Sequence, residues 1–392
     1  LTARLTFSDV DCFKPVNDAW ACASVVSRRK KGVLDLTLLL EATREIASMR
    51  IIRQRAHARA GLLGNPSDGY HGKTLSFIVR NFYAEIVLYD WETLEILPSK
   101  EDRGQFASIH ELVHDVALHG YYGGVRLIKA TIKRFADFCA ERTRAGEPGY
   151  VLGNQTFAIR YTTNIPRQVG LAGSSAIIVA TLKALMDFYR VKVPKTVLPS
   201  LALSVERREL GIAAGLQDRV IQVYEGLVFM DFSTSASAVQ CGLECGSYDE
   251  LDPHLLPPVY IAYTREHSEP TEALHLPLRA RYDAGDAEVR QAMQVFAQLA
   301  ADGRDALLTQ DFSTLASLIN RNFDLRRSIC DLQPAHVRMI EIARQAGASA
   351  KYCGSGGAIV GTYPDPQVYA RLVEDLGRQN CTVLRPNILG GD

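Results

Sequence analysis

Residues 166–176, Pro-Arg-Gln-Val-Gly-Leu-Ala-Gly-Ser-Ser-Ala, constrain the fold more than any other segment of the chain. Phe157, Ile159 and Tyr161 before them repeat at period two, which predicts a strand, and the apolar run after them predicts a helix over about 174–189. A glycine loop therefore leads from a strand into a helix. Glycines let the backbone curl and approach a ligand closely, the unpaired N–H groups of the first helical turn point outward, and the helix dipole favours negative charge there. Such a loop can cradle phosphate, with the hydroxyls of Ser174 and Ser175 adding hydrogen bonds or a metal ligand. A serine N-cap on an idle turn is the plainer alternative, and the loop by itself leaves both open.

Composition narrows the class. Of 392 residues, 47% are apolar and 22% charged, which is ordinary for a folded chain of about two to three domains. Lys plus Arg and Asp plus Glu are both 44, so a chain that coats nucleic-acid phosphates is disfavoured and any bound anion must be held locally. Lys183 interrupts the longest apolar candidate, Ala176 to Met186, well short of the ~20 residues of a membrane span. A cytoplasmic protein with no membrane or nucleic-acid partner is the expectation. The eight cysteines form no C-x-x-C and no zinc spacing, so reduced thiols are expected, Cys241 and Cys245 included.

The pattern predicts strands over Arg53 to Gly64, Thr74 to Arg80 and Phe82 to Tyr89, then helices near 124–142, 174–189, 198–210 and 217–225. Residues 233–256, closed by Leu256-Pro257-Pro258, read as a connector. Beyond it come a strand (259–264), several helices (286–346), a strand pair about a glycine turn (349–362), a helix (366–379) and a last strand (381–386). The division expected is 49–235 as an N-terminal α/β domain and 236–392 as an α+β domain. Residues 1–48, with the basic cluster Arg28, Arg29, Lys30 and Lys31, are expected to be a dispensable extension ahead of Met49.

Three further segments carry chemistry only in combination. Gly64-Asn65-Pro66-Ser67-Asp68-Gly69 ends a strand with turn formers and one carboxylate; the following Gly72-Lys73-Thr74 is no phosphate loop of the Walker type, because Ser67 stands where its first glycine is required. Gly211 to Arg219 puts Asp218 at or near a helix start, where N-capping is the simplest role. Cys353-Gly354-Ser355-Gly356-Gly357-Ala358 holds more glycine than a hairpin needs, which suggests close approach of a ligand.

In this order the segments resemble the GHMP small-molecule kinases. The second motif, Pro166 to Ala176, and the third, Gly354 to Gly357, match well; the first, Ala58 to Asp68, carries Asn-Pro-Ser where many members have Glu-His-Thr. Over residues 50–388 the chain is similar to the plant-type glucuronokinase branch, which shares the strings Gly-Asn-Pro-Ser-Asp, Gly-Tyr-Tyr-Gly-Gly-Val-Arg-Leu, Asn-Ile-Pro-Arg-Gln, Gly-Leu-Gln-Asp-Arg and Asn-Phe-Asp-x-Arg-Arg.

The resemblance implies an α+β, two-domain fold whose second domain is ferredoxin-like, in a monomer or homodimer. It also implies ATP-dependent phosphorylation of D-glucuronate at the anomeric hydroxyl, feeding UDP-glucuronate synthesis. By the same likeness Gly170, Leu171, Ala172, Gly173, Ser174 and Ser175 hold phosphate, Ser175 and Glu206 hold Mg²⁺, Asp218 is the catalytic aspartate and Arg59 the basic residue beside it. Asp68 accepts from sugar hydroxyls, and Gly354, Ser355, Gly356 and Gly357 close the site. Arg126, Arg219 and the Arg326-Arg327 pair are the candidates for the sugar's carboxylate. A GHMP kinase for a galactose-, arabinose- or heptose-type sugar, and a non-enzymatic sensor on the same fold, are the alternatives.

Overall fold

The computed structural model describes residues 50–98, 123–265 and 272–390, with only the backbone of 272–276; the basic cluster and the rest of 1–48 lie outside the described residues. Residues Ile52–Asp392 form one compact unit. In chain order its strands are β1 (Ile51–Leu63), β2 (Lys73–Asp90), β3 (Glu95–Leu97), β4 (Phe157–Thr163), β5 (Leu227–Asp231), β6 (Ala238–Gln240), β7 (Leu243–Cys245), β8 (Ser247–Leu251), β9 (Val259–Thr264), β10 (Lys351–Tyr352), β11 (Ala358–Thr362) and β12 (Cys381–Leu384). Its helices are α1 (Gly124–Arg144), α2 (Gly173–Tyr189), α3 (Leu198–Ser204), α4 (Gln217–Tyr224), α5 (Glu272–Asp283), α6 (Ala287–Leu308), α7 (Phe312–Ile329), α8 (Pro334–Gln345) and α9 (Pro366–Gly377).

A six-stranded sheet runs β3-β4-β2-β5-β8, with β1 also on β2; only the β3–β4 pairing is parallel among the registers known. Along β4 Phe157, Ile159 and Tyr161 are buried and Arg160 and Thr162 face water, while Ala158 on the second face is buried too. β2 is one long strand rather than the two expected. Its first part pairs with β5 and its second with β4, and across the break Arg80 N–H donates to the Asn387 carbonyl at 2.8 Å. A polar Arg80-Asn81 step thus continues the strand because the chain's last turn supplies its partners. α2, buried nearly all round from Ser175 to Leu185, lies against this sheet as a central helix.

Residues 233–256 are more than a connector: they hold the β6–β7 hairpin and β8, which pairs with β5 and so returns to the first sheet. A serine- and glycine-rich composition concealed three short strands, and α5, with Pro277 inside it, was likewise not anticipated.

The second sheet is antiparallel in the order β10-β11-β9-β12. With α7 and α8 before β10 and α9 before β12, this is the ferredoxin-like arrangement the sequence led us to expect. Tyr260 and Ala262 of β9 pack with Met339 and Ile340 of α8 and with Leu372 of α9, whereas Val259 and Ile261 face the main core. Aspartate caps set the helix starts: Asp286, Asp311 and Asp365 accept from Val289, Thr314 and Val368 N–H at 3.2, 3.0 and 2.8 Å. No helix among the described residues is long and apolar enough to cross a membrane.

Candidate active site

The loop after β4 enters α2 through Ala172, whose φ of 65° lies in the left-handed region, and no side chain caps the helix. A 17-residue helix therefore opens with free N–H groups on a cavity of about 640 Å³, a size typical of ligand sites (~300–1,000 Å³). Gly170, at φ 71°, brings its backbone against the second glycine segment: a Cβ there would meet the Gly356 carbonyl at 2.8 Å. Gly354 is held as closely, against the Gly170 carbonyl and the Arg59 guanidinium. Gly170 to Ser174 all line the cavity, as do Gly354 and Ser355, whereas Gly356 and Gly357 stand behind them.

The two serines part company. Ser174 lines the cavity and donates to Glu206 Oε1 at 3.2 Å. Ser175 is fully buried and donates to the Ala172 carbonyl at 3.1 Å. Neighbouring helical residues project about 100° apart, and here Ser174 is turned toward the carboxylate while Ser175, the expected metal ligand, is turned inward.

Charged groups form a chain along one wall. Arg59 of β1, nearly buried, donates through Nε to Asp218 Oδ1 and through Nη1 to the Gly170 carbonyl, both at 2.6 Å. Asp218 is the second residue of α4 and not its cap; that position belongs to Leu216. Arg219 lies 3.5 Å from Asp218 Oδ2, donates to the Gly215 carbonyl at 2.9 Å and forms a buried ion pair with Glu206, which sits on the π-helical turn Val205–Glu209 after α3. Asp68, on the turn Ser67–Tyr70 after β1, accepts from Gln217 N–H at 3.2 Å. Burial, and then the nearby Asp218 charge, push its carboxyl up to about 6 against the opposing pull of Arg219 and Arg59.

The first-motif loop is held from the other sheet. Asn322 of α7 accepts from Gly64 N–H at 2.8 Å and donates to the Asn65 carbonyl at 3.2 Å. Lys351 of β10, 1% exposed, donates to the Gly61 carbonyl at 2.6 Å, Asn65 Oδ1 at 2.5 Å and the Tyr352 carbonyl at 2.8 Å. Burial holds its ammonium well below the ordinary lysine range. Arg326, also on α7, lines the cavity and donates to the Gly354 carbonyl at 2.7 Å. Neither Lys351 nor Asn322 was singled out from the sequence, although Asn322 and Arg326, four apart, share one helix face, as the spacing could have shown.

Two expected residues lie elsewhere. Arg126 is exposed on the first turn of α1 and is not among the cavity's lining residues. Arg327 is turned by one residue from Arg326 and faces Glu341 at 3.5 Å on the surface.

Residues 126–226, which carry the glycine loop, Glu206 and Asp218, match the family model of the GHMP kinases N terminal domain. The chain is 43% identical over 343 residues to a protein named probable glucuronokinase 2 of Arabidopsis thaliana, covering 86% of this chain and 91% of the relative. It is 42% identical over 341 residues, with the same coverage, to glucuronokinase 1 of the same plant. In fold it is similar to a crystal structure of Lactococcus lactis galactokinase complexed with galactose, with a TM-score of 0.65 at 15% identity over 91% of this chain and 98% of the other. Motif order, cavity and full-length similarity lead to one conclusion: the chain belongs to the GHMP kinase family.

Proposed function

We propose that the protein transfers the γ-phosphoryl group of ATP to the anomeric hydroxyl of D-glucuronate, giving D-glucuronate 1-phosphate and ADP. The observation that carries this reading is the Arg59–Asp218 pair, set against a glycine loop at an uncapped helix N-terminus in a chain so similar to named glucuronokinases. The O1–P bond forms as the bond from the γ-phosphorus to the β,γ-bridging oxygen breaks. The sugar proton passes toward Asp218, and the negative charge leaves with ADP. Transfer of this kind asks mainly for positioning and charge neutralisation. The N–H groups of the 170–174 loop face the phosphates, Asp218 orients the acceptor hydroxyl, Arg59 fixes Asp218 against that loop, and Asp68 lies within reach of sugar hydroxyls.

A Mg²⁺ ion fits the donor set at Glu206 and Ser174, which are hard oxygen ligands beside the phosphate loop; Mg²⁺ needs only one or two protein ligands when phosphates and waters complete its shell. When bound, it neutralises charge on the nucleotide phosphates. Arg219 is the counter-ion of the Glu206 carboxylate.

Phosphorus NMR of the product tests the assignment. Incubation with ATP, Mg²⁺ and D-glucuronate should give a sugar phosphate coupled to the C1 proton. A phosphate on any other carbon, or none, contradicts it, and turnover of a neutral sugar in place of glucuronate favours a kinase of another sugar.

A further inference from the structure

Six arginines line the cavity: Arg59, Arg167, Arg207, Arg219, Arg279 and Arg326. Arg167, Arg207 and Arg279 are exposed to water. Of the three buried ones, Arg59 is neutralised by Asp218 and Arg219 by Glu206. Arg326, 2% exposed, has no carboxylate partner among the described residues: Nη1 donates to the Gly354 carbonyl, the guanidinium stacks 5.5 Å from the Tyr352 ring centroid, and Nε is buried without any hydrogen-bond partner. An unneutralised buried cation is costly, and a buried N–H left without a hydrogen bond adds to that cost. Consistently, burial pulls the Arg326 guanidinium below its usual range.

Its place in the site is at the acceptor end. The Gly354 backbone that receives Nη1 lies against both the Gly170 carbonyl and the Arg59 guanidinium that holds Asp218. Asn65 and Asp68 also line the cavity, and the Asp68 charge acts on the Arg326 guanidinium. A sugar whose anomeric oxygen faces Asp218 carries its C5 substituent on the other side of the ring oxygen, and Arg326 is the buried arginine of the cavity lining that has no carboxylate partner among the described residues.

We infer that Arg326 is the specificity-determining residue of the acceptor site, binding the carboxylate of a uronic acid through its unpartnered guanidinium edge. The inference rests on the reading of the protein as a glucuronate kinase and deepens it. A guanidinium fork matches a carboxylate's two oxygens, and the pair becomes strong because both charges are withdrawn from water together. A neutral hexose would leave the same cation unpaired, which is how a site rejects an analogue that lacks one polar group. Arg126, Arg219 and Arg327 are thereby set aside: the first and last lie outside the cavity lining and the second is already paired.

The test compares D-glucuronate with D-glucuronamide, which has the same shape without the charge, in the full-length protein and in Arg326→Met, with Arg326→Lys and Arg326→Gln as companions. The unmodified enzyme should prefer glucuronate by on the order of 10²–10⁴ in kcat/KM. In Arg326→Met the glucuronate value should fall far more than the amide value, mainly through KM, so that the preference for glucuronate collapses toward one. Arg326→Lys should restore part of the preference and Arg326→Gln none; these two carry the test if the Met variant melts before assay. Calorimetric binding of glucuronate should weaken in parallel, with nucleotide binding unchanged. Equal losses for both sugars, or a preference retained in Arg326→Met, would overturn the inference and leave glucuronate phosphorylation itself intact. An unmodified enzyme that ignores glucuronate would overturn both readings at once.

Discussion

Arg59 and Asp218 meet at 2.6 Å across 159 residues of sequence, and the same guanidinium donates at 2.6 Å to the Gly170 carbonyl. One buried cation therefore fixes the acceptor-side carboxylate relative to the phosphate loop. Arg59 stands on strand β1, whereas Gly170 belongs to the loop between β4 and α2 and Asp218 to the first turn of α4.

The Asp218→Asn variant should still fold, because the side chain keeps its shape and can accept from Arg59, but with a lowered melting temperature, because the buried guanidinium loses its counter-charge. Turnover should drop by roughly 10²–10⁴, the span associated with removing a general base, with little change in nucleotide affinity. Steady-state kinetics beside a thermal melt decides the point, and wild-type turnover would remove Asp218 from the mechanism.

Ser174 and Ser175 should separate cleanly. Ser174→Ala and Glu206→Gln should each raise the Mg²⁺ concentration needed for half-maximal rate, since each removes an oxygen donor beside the phosphates. Ser175→Ala should leave the Mg²⁺ dependence alone and act on stability, by about 0.5–1.5 kcal/mol, through its lost bond to the Ala172 carbonyl. Magnesium titrations of the three variants report this directly; a Ser175-specific effect would reverse the assignment.

The raised Asp68 carboxyl makes a statement about pH. The folded chain holds that proton up to about 6, whereas the unfolded chain releases it near 3.8, so between those values the folded state binds more protons and stability falls as pH rises. Asp68→Asn removes this dependence. At pH 7.5 the substrate-free variant should be more stable than the unmodified protein, by at most about 3 kcal/mol, and less active. Melting temperatures at pH 4.5 and 7.5 should show a clearly larger gain at the higher value.

Asn322 has a structural task of another kind. Asn322→Ala would orphan the Gly64 N–H and the Asn65 carbonyl in a buried setting, which should cost about 2–4 kcal/mol in denaturant unfolding. Since those atoms belong to the loop that leads to Asp68, the acceptor KM should rise more than the ATP KM.

What the sequence showed and what it hid have separate physical causes. Phe157, Ile159 and Tyr161 announce their face through a period of two, because that signal is local. The glycine loop was legible for the same reason, whereas Asp218 read locally as a helix cap, a position that Leu216 holds. Hidden were contacts that depend on two distant segments. The pairing of Glu206 with Arg219 requires knowing how α4 packs beside the π turn, and the inward turn of Ser175 depends on where α2 begins. Lys351 looks like an ordinary strand residue until β10 is laid against the Gly61–Asn65 loop. Residues 233–256 misled because short edge strands need no apolar alternation when neighbours supply the hydrogen bonds.

The central claim is that this GHMP kinase acts on a uronic acid, and the most direct measurement is kcat/KM for D-glucuronate, D-galacturonate, D-glucose and D-galactose with saturating ATP and Mg²⁺. The account predicts glucuronate first by a wide margin and the neutral sugars lower by on the order of 10⁴, as for a polar site left without its partner. Glucose or galactose turned over as efficiently as glucuronate would contradict it.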